Sequence, residues 1–333
     1  MGHTDGRADD AVYFVVGAER SGSTLLRLLL TCHPDIAMVG QFEYAVGGRK
    51  PDGAEPDPAA FADWLLLDRI FLASGLTIDP SLGYRDLVRD FLEQARAAAG
   101  AELTGGVVHF DFDRLAPIWP DAKYIHLVRD GRDVSRSTIG MGWAADLWHG
   151  GRFWLESEHL WDRVAPDIPE ERRFELRYED LVREPEATLR GLCAFLGVDF
   201  SPRMFDYPEV SDFGAPDPER LDQWRRKLDP DELRLAEARI GDMLVARGYE
   251  LSGGDRTPPS GWELRRLELA NRWFRIRHRI QLYGLPLWTK EMLTRRLGLD
   301  DRWRDYRQEM NQIEQAGLLR VPAAISDDAP ADR

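Results

Sequence analysis

Cysteine is nearly absent from this chain, and so are long apolar runs and any excess of positive charge. The two cysteines, Cys32 and Cys193, each fall inside an apolar helical pattern, so they read as buried reduced thiols rather than a disulfide framework or a metal site. No apolar run reaches the about 18 residues that a membrane span requires. The N-terminus MGHTDGRADD is polar and acidic, without a charged start leading into an apolar stretch, so no secretory signal is expected. A reducing, cytoplasmic setting follows as the expectation. The net charge of -14 argues against a general binder of nucleic acid or anionic membrane, because backbone and headgroup phosphates reward clustered positive charge. A local basic site remains compatible with it. There is no internal repeat.

What is present is enough apolar material, 43% of 333 residues, for a large domain with an appendage or for two smaller domains. VYFVV, Val12 to Val16, is a continuous β-branched and aromatic run, as in a strand buried on both faces of a parallel sheet. It leads through GAERSGST into Thr24–Cys32, a stretch with leucines nearly all around, as in a core helix. KYIHLV and then RRFELRYEDL, alternating around Phe174, Leu176 and Tyr178, read as two further strands. A helix starting at Pro185 and ending at Gly197 follows the last of them. Strands alternating with helices predict an α/β fold, P-loop-like and three-layered, with a central, mostly parallel sheet and helical insertions. The insertions are the helical stretch from about residue 61 to 99, after a Pro- and Asp-rich surface loop, RKPDGAEPDPAA.

The expected organisation is a flexible N-terminus over 1–10, a main domain over 11–250, a linker over 251–261, a helical C-terminal extension over 262–318 and a disordered tail over 319–333. The extension is aromatic and locally basic, against the acidic average of the chain. An Arg face with a Trp/Leu face is compatible with interfacial binding, while a homodimer or an intramolecular lid is the favoured use.

GAERSGST nearly matches the phosphate-binding pattern GxxxxGK[ST], but Ser23 stands where that pattern has Lys. Strand, glycine loop and helix point backbone N–H groups and a helix dipole at an anion. Arg20 supplies the charge from within the loop. RSGST, Arg20 to Thr24, resembles the [KR]SG[ST]T loop of sulfotransferases that use 3'-phosphoadenosine 5'-phosphosulfate (PAPS), and the continuation LLRLLLTCHPDIAMVG is similar to the bacterial and tyrosylprotein branches of that family. Family members carry an Arg and a Ser eight residues apart that bind the 3'-phosphate, and in VRDGRDVSRS these positions are Arg129 and Ser137. An Arg at a strand end and a hydroxyl one to two helical turns on can clasp one phosphate. RYEDL, with Tyr178, and DQWRRKLDPDEL resemble later family segments, so the likeness covers roughly residues 11 to 250.

The resemblance implies transfer of a sulfuryl group from PAPS to a hydroxyl-bearing acceptor, with no metal. It also implies cofactor contacts from Arg20, Ser21, Gly22, Ser23, Thr24, Arg129, Ser137 and Tyr178. Arg132 and Arg136 either add positive charge there or are solvated. For the base, an ungapped match lands on Gln41, which cannot take a proton; Glu43, two residues on, is favoured. His109 lies where the small-molecule branch carries a catalytic His, or is a packed histidine. Asp111 and Asp113 orient a base or cap the helix expected in DRLAPIWP. His33 and His126 read as structural. Trp143, Trp148, His149, Trp154 and Trp161 serve the core or an acceptor pocket. Two other readings stay open: a P-loop kinase, and a catalytically silent nucleotide-binding protein.

Overall fold

The computed structural model describes residues 11–47 and 54–320. The expected flexible N-terminus, most of the expected tail and residues 48–53 of the Pro- and Asp-rich loop lie outside those residues. Five strands form one sheet: β1 Val12–Val16, β2 Ile36–Gln41, β3 Leu103–Val108, β4 Lys123–Val128 and β5 Arg173–Arg177. Their order is β2-β3-β1-β4-β5, and every neighbouring pair is parallel. The α/β architecture matches the expectation. Two strands, β2 and β3, stand where only helices were expected between VYFVV and KYIHLV.

β1 is central and buried along its whole length, and its alternate side chains feed two separate cores. Val12, Phe14 and Val16 pack with Phe61, Phe71, Leu87 and Phe91 of the helices Pro58–Leu65, Arg69–Ser74 and Tyr84–Ala99. Tyr13 and Val15 pack with Leu26 and Leu29 of the helix Ser23–Thr31 and with Leu189 and Leu192 of Pro185–Leu196. Covering both faces is what lets a continuous apolar run serve as a strand. Each large side chain so buried contributes about 1.5–3 kcal/mol.

The strand order fixes where a ligand can enter. From β1 the chain turns through its helix towards β2, and from β4 it turns the other way to β5. The carboxyl ends of β1 and β4 therefore flank a topological switch point, where connections diverge and leave a crevice. The loop Gly17–Gly22 and the residues Arg129 and Asp130 leave the sheet there.

The chain divides into two compact units, residues up to Asp130 with Leu155–Leu221, and Gly131–Trp154 with the residues from Asp222 on. The first holds the sheet. The second is helical, built from Gly131–Gly140, the start of Leu147–Val164, Pro230–Ala246, Gly261–Tyr283, Leu285–Leu297 and Asp300–Arg320. The helix Pro230–Ala246 begins with a capping box of Asp229 and Glu232, and Gly261–Tyr283 with one of Ser260 and Glu263. The stretch 251–261, expected as a linker, is tied along this unit. Ser252 donates through N and Oγ to Glu237, and Arg256 bonds Asp242 at 2.7 Å.

Candidate active site

The loop after β1 has a backbone geometry that suits an anion. Gly22 has φ 98°, and a Cβ there would lie 2.2 Å from the Tyr178 ring. Only glycine fits both the left-handed conformation and the close approach. Arg20, which is not a glycine, also sits at φ 69°, a local strain of the kind that clusters at binding sites. The helix Ser23–Thr31 starts without a side-chain cap, so the N–H groups of its first turn point out of the loop. Ser21 Oγ is buried without a hydrogen-bond partner among the described residues.

Arg129 closes the cradle from β4. Its Nη1 donates to Arg20 O at 3.1 Å and its Nη2 to Arg220 O at 3.2 Å, and its guanidinium lies 4.5 Å from the centre of the Tyr178 ring. Its Nε is buried and unpartnered among the described residues. Burying a donor without an acceptor costs about 1–3 kcal/mol, so these orphans fit a site built for an incoming anion. Tyr178 is the platform under both Gly22 and Arg129. It opens the helix Tyr178–Arg183 instead of continuing the strand, which ends at Arg177. Ser137 lies in the helix Gly131–Gly140, in the second unit.

Three acid–base groups gather beside the loop. β3 runs parallel to β1 with Val108 opposite Val16, so the next residue, His109, comes against Gly17. His109 Nδ1 lies 2.9 Å from Gly17 O, an acceptor only, so Nδ1 carries the proton. Nε2 is then the acceptor for the Ser23 hydroxyl at 3.2 Å. Burial holds this imidazole below the usual histidine range, consistent with the neutral form. The backbone N–H of His109 donates to Glu43 Oε1 at 3.2 Å, while Glu43 Oε2 is buried without a partner among the described residues. Burial pushes the Glu43 carboxyl up to about 7, against the lowering effect of its backbone hydrogen bonds. Glu19 is the third group. Burial raises its carboxyl, while His109 and Arg20 pull it down and Glu43 pushes it further up. The sequence reading passed over Glu19, although an acid next to Arg20 inside the loop was signal enough.

Other expectations are relocated. Gln41 ends β2 exposed, and Glu43 turns inward. Arg132 is not solvated: it is 1% exposed, paired with the fully buried Glu237 at 2.7 Å and stacked on Trp224 at 3.5 Å. Arg136 donates to Gln223 Oε1 at 2.7 Å. Asp111 caps nothing. It sits at φ 55°, its carboxylate pairs with Arg114 at 3.1 Å, and Asp113 is exposed, while Phe112–Arg114 is only a turn of 3-10 helix. His33 is structural, with Nε2 2.8 Å from Asp199 O. His126 is fully buried and stacks on Trp161 at 4.3 Å. Trp154 and Trp161 are core, whereas Trp143, Trp148 and His149 are half-buried.

Comparison with known proteins bears on this arrangement. The family described as "Sulfotransferase family" matches residues 13–202. Nodulation protein NoeE of Sinorhizobium fredii is 28% identical over 289 residues, 72% of this chain and 66% of that protein. Carbohydrate sulfotransferase 7 of Mus musculus is 31% identical over 116 residues, 31% of this chain and 24% of that protein. The chain thus spans less than two thirds of the length of either relative. Among solved structures, the sulfotransferase domain from the Synechococcus PCC 7002 olefin synthase superposes with a TM-score of 0.51 at 22% identity. That match covers 72% of this chain and 95% of the domain and is a likeness of fold.

Proposed function

This chain belongs to the sulfotransferase family, and we propose that it moves the sulfuryl group of PAPS to the hydroxyl of an acceptor, releasing adenosine 3',5'-bisphosphate. The observation that carries the reading is the loop at the β1/β4 switch point, where an uncapped helix start, the orphaned Ser21 Oγ and the orphaned Arg129 Nε converge. The N–H groups of Ser21, Gly22, Ser23 and Thr24 hold the 5'-phosphosulfate. Arg20 neutralises the charge that grows on the leaving 5'-phosphate as the S–O bond to it breaks. Arg129 holds the 3'-phosphate, joined on the sequence resemblance by Ser137. Tyr178 fixes the heights of Gly22 and Arg129 without needing to touch the reacting atoms.

The acceptor oxygen forms the new bond to sulfur, and its proton passes to Glu43. A carboxylate held up at about 7 is matched to that task, since it is basic enough to take a proton and ionised in an appreciable fraction at neutral pH. His109 acts as a positioning residue: by pinning Gly17 O and the Ser23 hydroxyl it sets the curvature of the loop. Among the described residues no helix is long and apolar enough to cross a membrane. The unpaired Cys32 and Cys193 support a reducing, cytoplasmic setting.

Titration calorimetry tests the nucleotide half of this reading, with adenosine 3',5'-bisphosphate expected to bind in preference to ATP with magnesium; the opposite order would end it. Mass spectrometry of extracts incubated with enzyme and PAPS then finds the acceptor as a product heavier by one sulfuryl group.

A further inference from the structure

The helix Gly261–Tyr283 carries six arginines and two glutamates in a chain whose net charge is -14. At 3.6 residues per turn its residues sort into two opposed lines. Asn271 and His278 lie on the inner one. Asn271 Oδ1 accepts from Ala145 N at 3.0 Å, and the His278 ring sits where a Cβ on Gly142 would lie, 2.3 Å away. Half a turn round, Trp262, Leu269 and Trp273 form the outer line, 78%, 60% and 69% exposed. Arg266 and Arg277 border that line on one side, Arg265 and Arg272 on the other. None of these four arginines makes a hydrogen bond or ion pair among the described residues. Of the two acids of the helix, Glu263 is taken up by Arg234 and by its own capping box.

We propose that this outer face seats the chain on an anionic lipid bilayer. Two tryptophans and a leucine enter the headgroup region, and the flanking arginines meet lipid phosphates. Tryptophan at the apolar centre with arginine at both margins is the layout of a helix lying in the membrane interface. The alternative occupant, a second copy of the chain, is disfavoured by charge. Two such faces apposed would set arginine against arginine, with Glu268 as the one acid of the helix left to answer them. An anionic surface meets the four flanking arginines at once, and the acidic remainder of the chain keeps the attachment confined to this face.

The test is co-sedimentation of the full chain with vesicles of phosphatidylcholine and phosphatidylglycerol in equal parts, against vesicles of phosphatidylcholine alone. The chain is expected to pellet with the anionic vesicles and to be released by high salt. Arg266→Gln with Arg277→Gln should weaken binding by on the order of fivefold per arginine. Trp262→Ser with Trp273→Ser should abolish it. Affinity for adenosine 3',5'-bisphosphate and thermal midpoint should stay unchanged in both double variants, which excludes misfolding as the cause of any loss. Equal binding to neutral vesicles, or no binding to anionic ones, overturns the proposal. So does a dimer in sedimentation velocity that the tryptophan variant converts to monomer, since a second copy would then own the face.

Discussion

Replacing Glu43 by glutamine separates the cost of burying this carboxyl from its use. The rise from an ordinary 4.5 to about 7, at about 1.36 kcal/mol per decade, makes ionised Glu43 cost roughly 3 kcal/mol of stability. Below pH 4.5 the group is protonated in both folded and unfolded chains, and it costs nothing. Between 4.5 and about 7 the unfolded chain ionises while the folded one keeps its proton, so stability falls as pH rises. Above that window both states are ionised and the penalty is constant. Glutamine keeps an oxygen for the His109 N–H but puts an NH2 where Oε2 has no partner, a loss of about 1 kcal/mol. Glu43→Gln should therefore be more stable than the parent by about 2 kcal/mol at alkaline pH and less stable by about 1 kcal/mol in acid. Urea unfolding of both proteins across that pH range measures the difference directly. The same variant should lose roughly 10²- to 10⁴-fold in turnover. A stability difference that stays flat with pH would refute the reasoning, because Glu43 would then titrate as an ordinary surface carboxyl.

Gly22→Ala forces a Cβ into the Tyr178 ring at a left-handed φ, so a loss of about 1–3 kcal/mol in stability is expected. Calorimetry should show the bisphosphate affinity falling with it, and an unaltered affinity would mean that this loop is not the cradle. Arg129→Ala should weaken adenosine 3',5'-bisphosphate roughly ten- to a hundredfold while leaving adenosine 5'-monophosphate nearly as before. Equal losses for the two nucleotides would move Arg129 away from the 3'-phosphate. Arg132→Met strands the buried Glu237 and should cost about 3–5 kcal/mol in urea unfolding. Adding Glu237→Gln, which keeps an acceptor for Ser252, should recover most of that loss, and the bisphosphate affinity should not change; a large fall in affinity would return Arg132 to the phosphate site.

The elements that the sequence disclosed are those whose signal is local. β1 is an unbroken apolar run, β4 is a short apolar-rich run broken only by Lys123 and His126, and the helix Pro185–Leu196 has Pro at its start and is followed by Gly197. β3 was hidden because LTGGVV spends two of its six positions on glycine, a poor strand former. The reason is contact with residues far away in sequence: a Cβ on Gly105 would lie 2.2 Å from Tyr13 O, and one on Gly106 2.6 Å from Phe42 Cβ. Missing β3 also hid what places His109, since its meeting with Gly17 follows from the register of β3 on β1. β2 was missed beside it, and without β2 nothing turned Glu43 inward while leaving Gln41 outside.

The candidate site shows the same division between what a residue is and what it meets. RSGST names the loop because the binding proposed for it is by backbone N–H groups, whose arrangement is encoded within a few residues by Gly22 and the helix that follows. Charge carries no such local address. Arg129 and Arg132 are only three residues apart, and their sequence context assigned Arg129 a phosphate while leaving Arg132 open between added charge at that site and a solvated surface residue. Their partners separate them: Arg129 leans on Tyr178 with an unpartnered Nε, while Arg132 is spent on a glutamate 105 residues later in the chain. An arginine with a buried carboxylate already in hand has no charge left for a ligand, whereas one held by two carbonyls keeps its full positive charge. The neutrality of the acceptors around Arg129, more than its position after the strand, is what supports it over Arg132 as the arginine proposed to bind the phosphate.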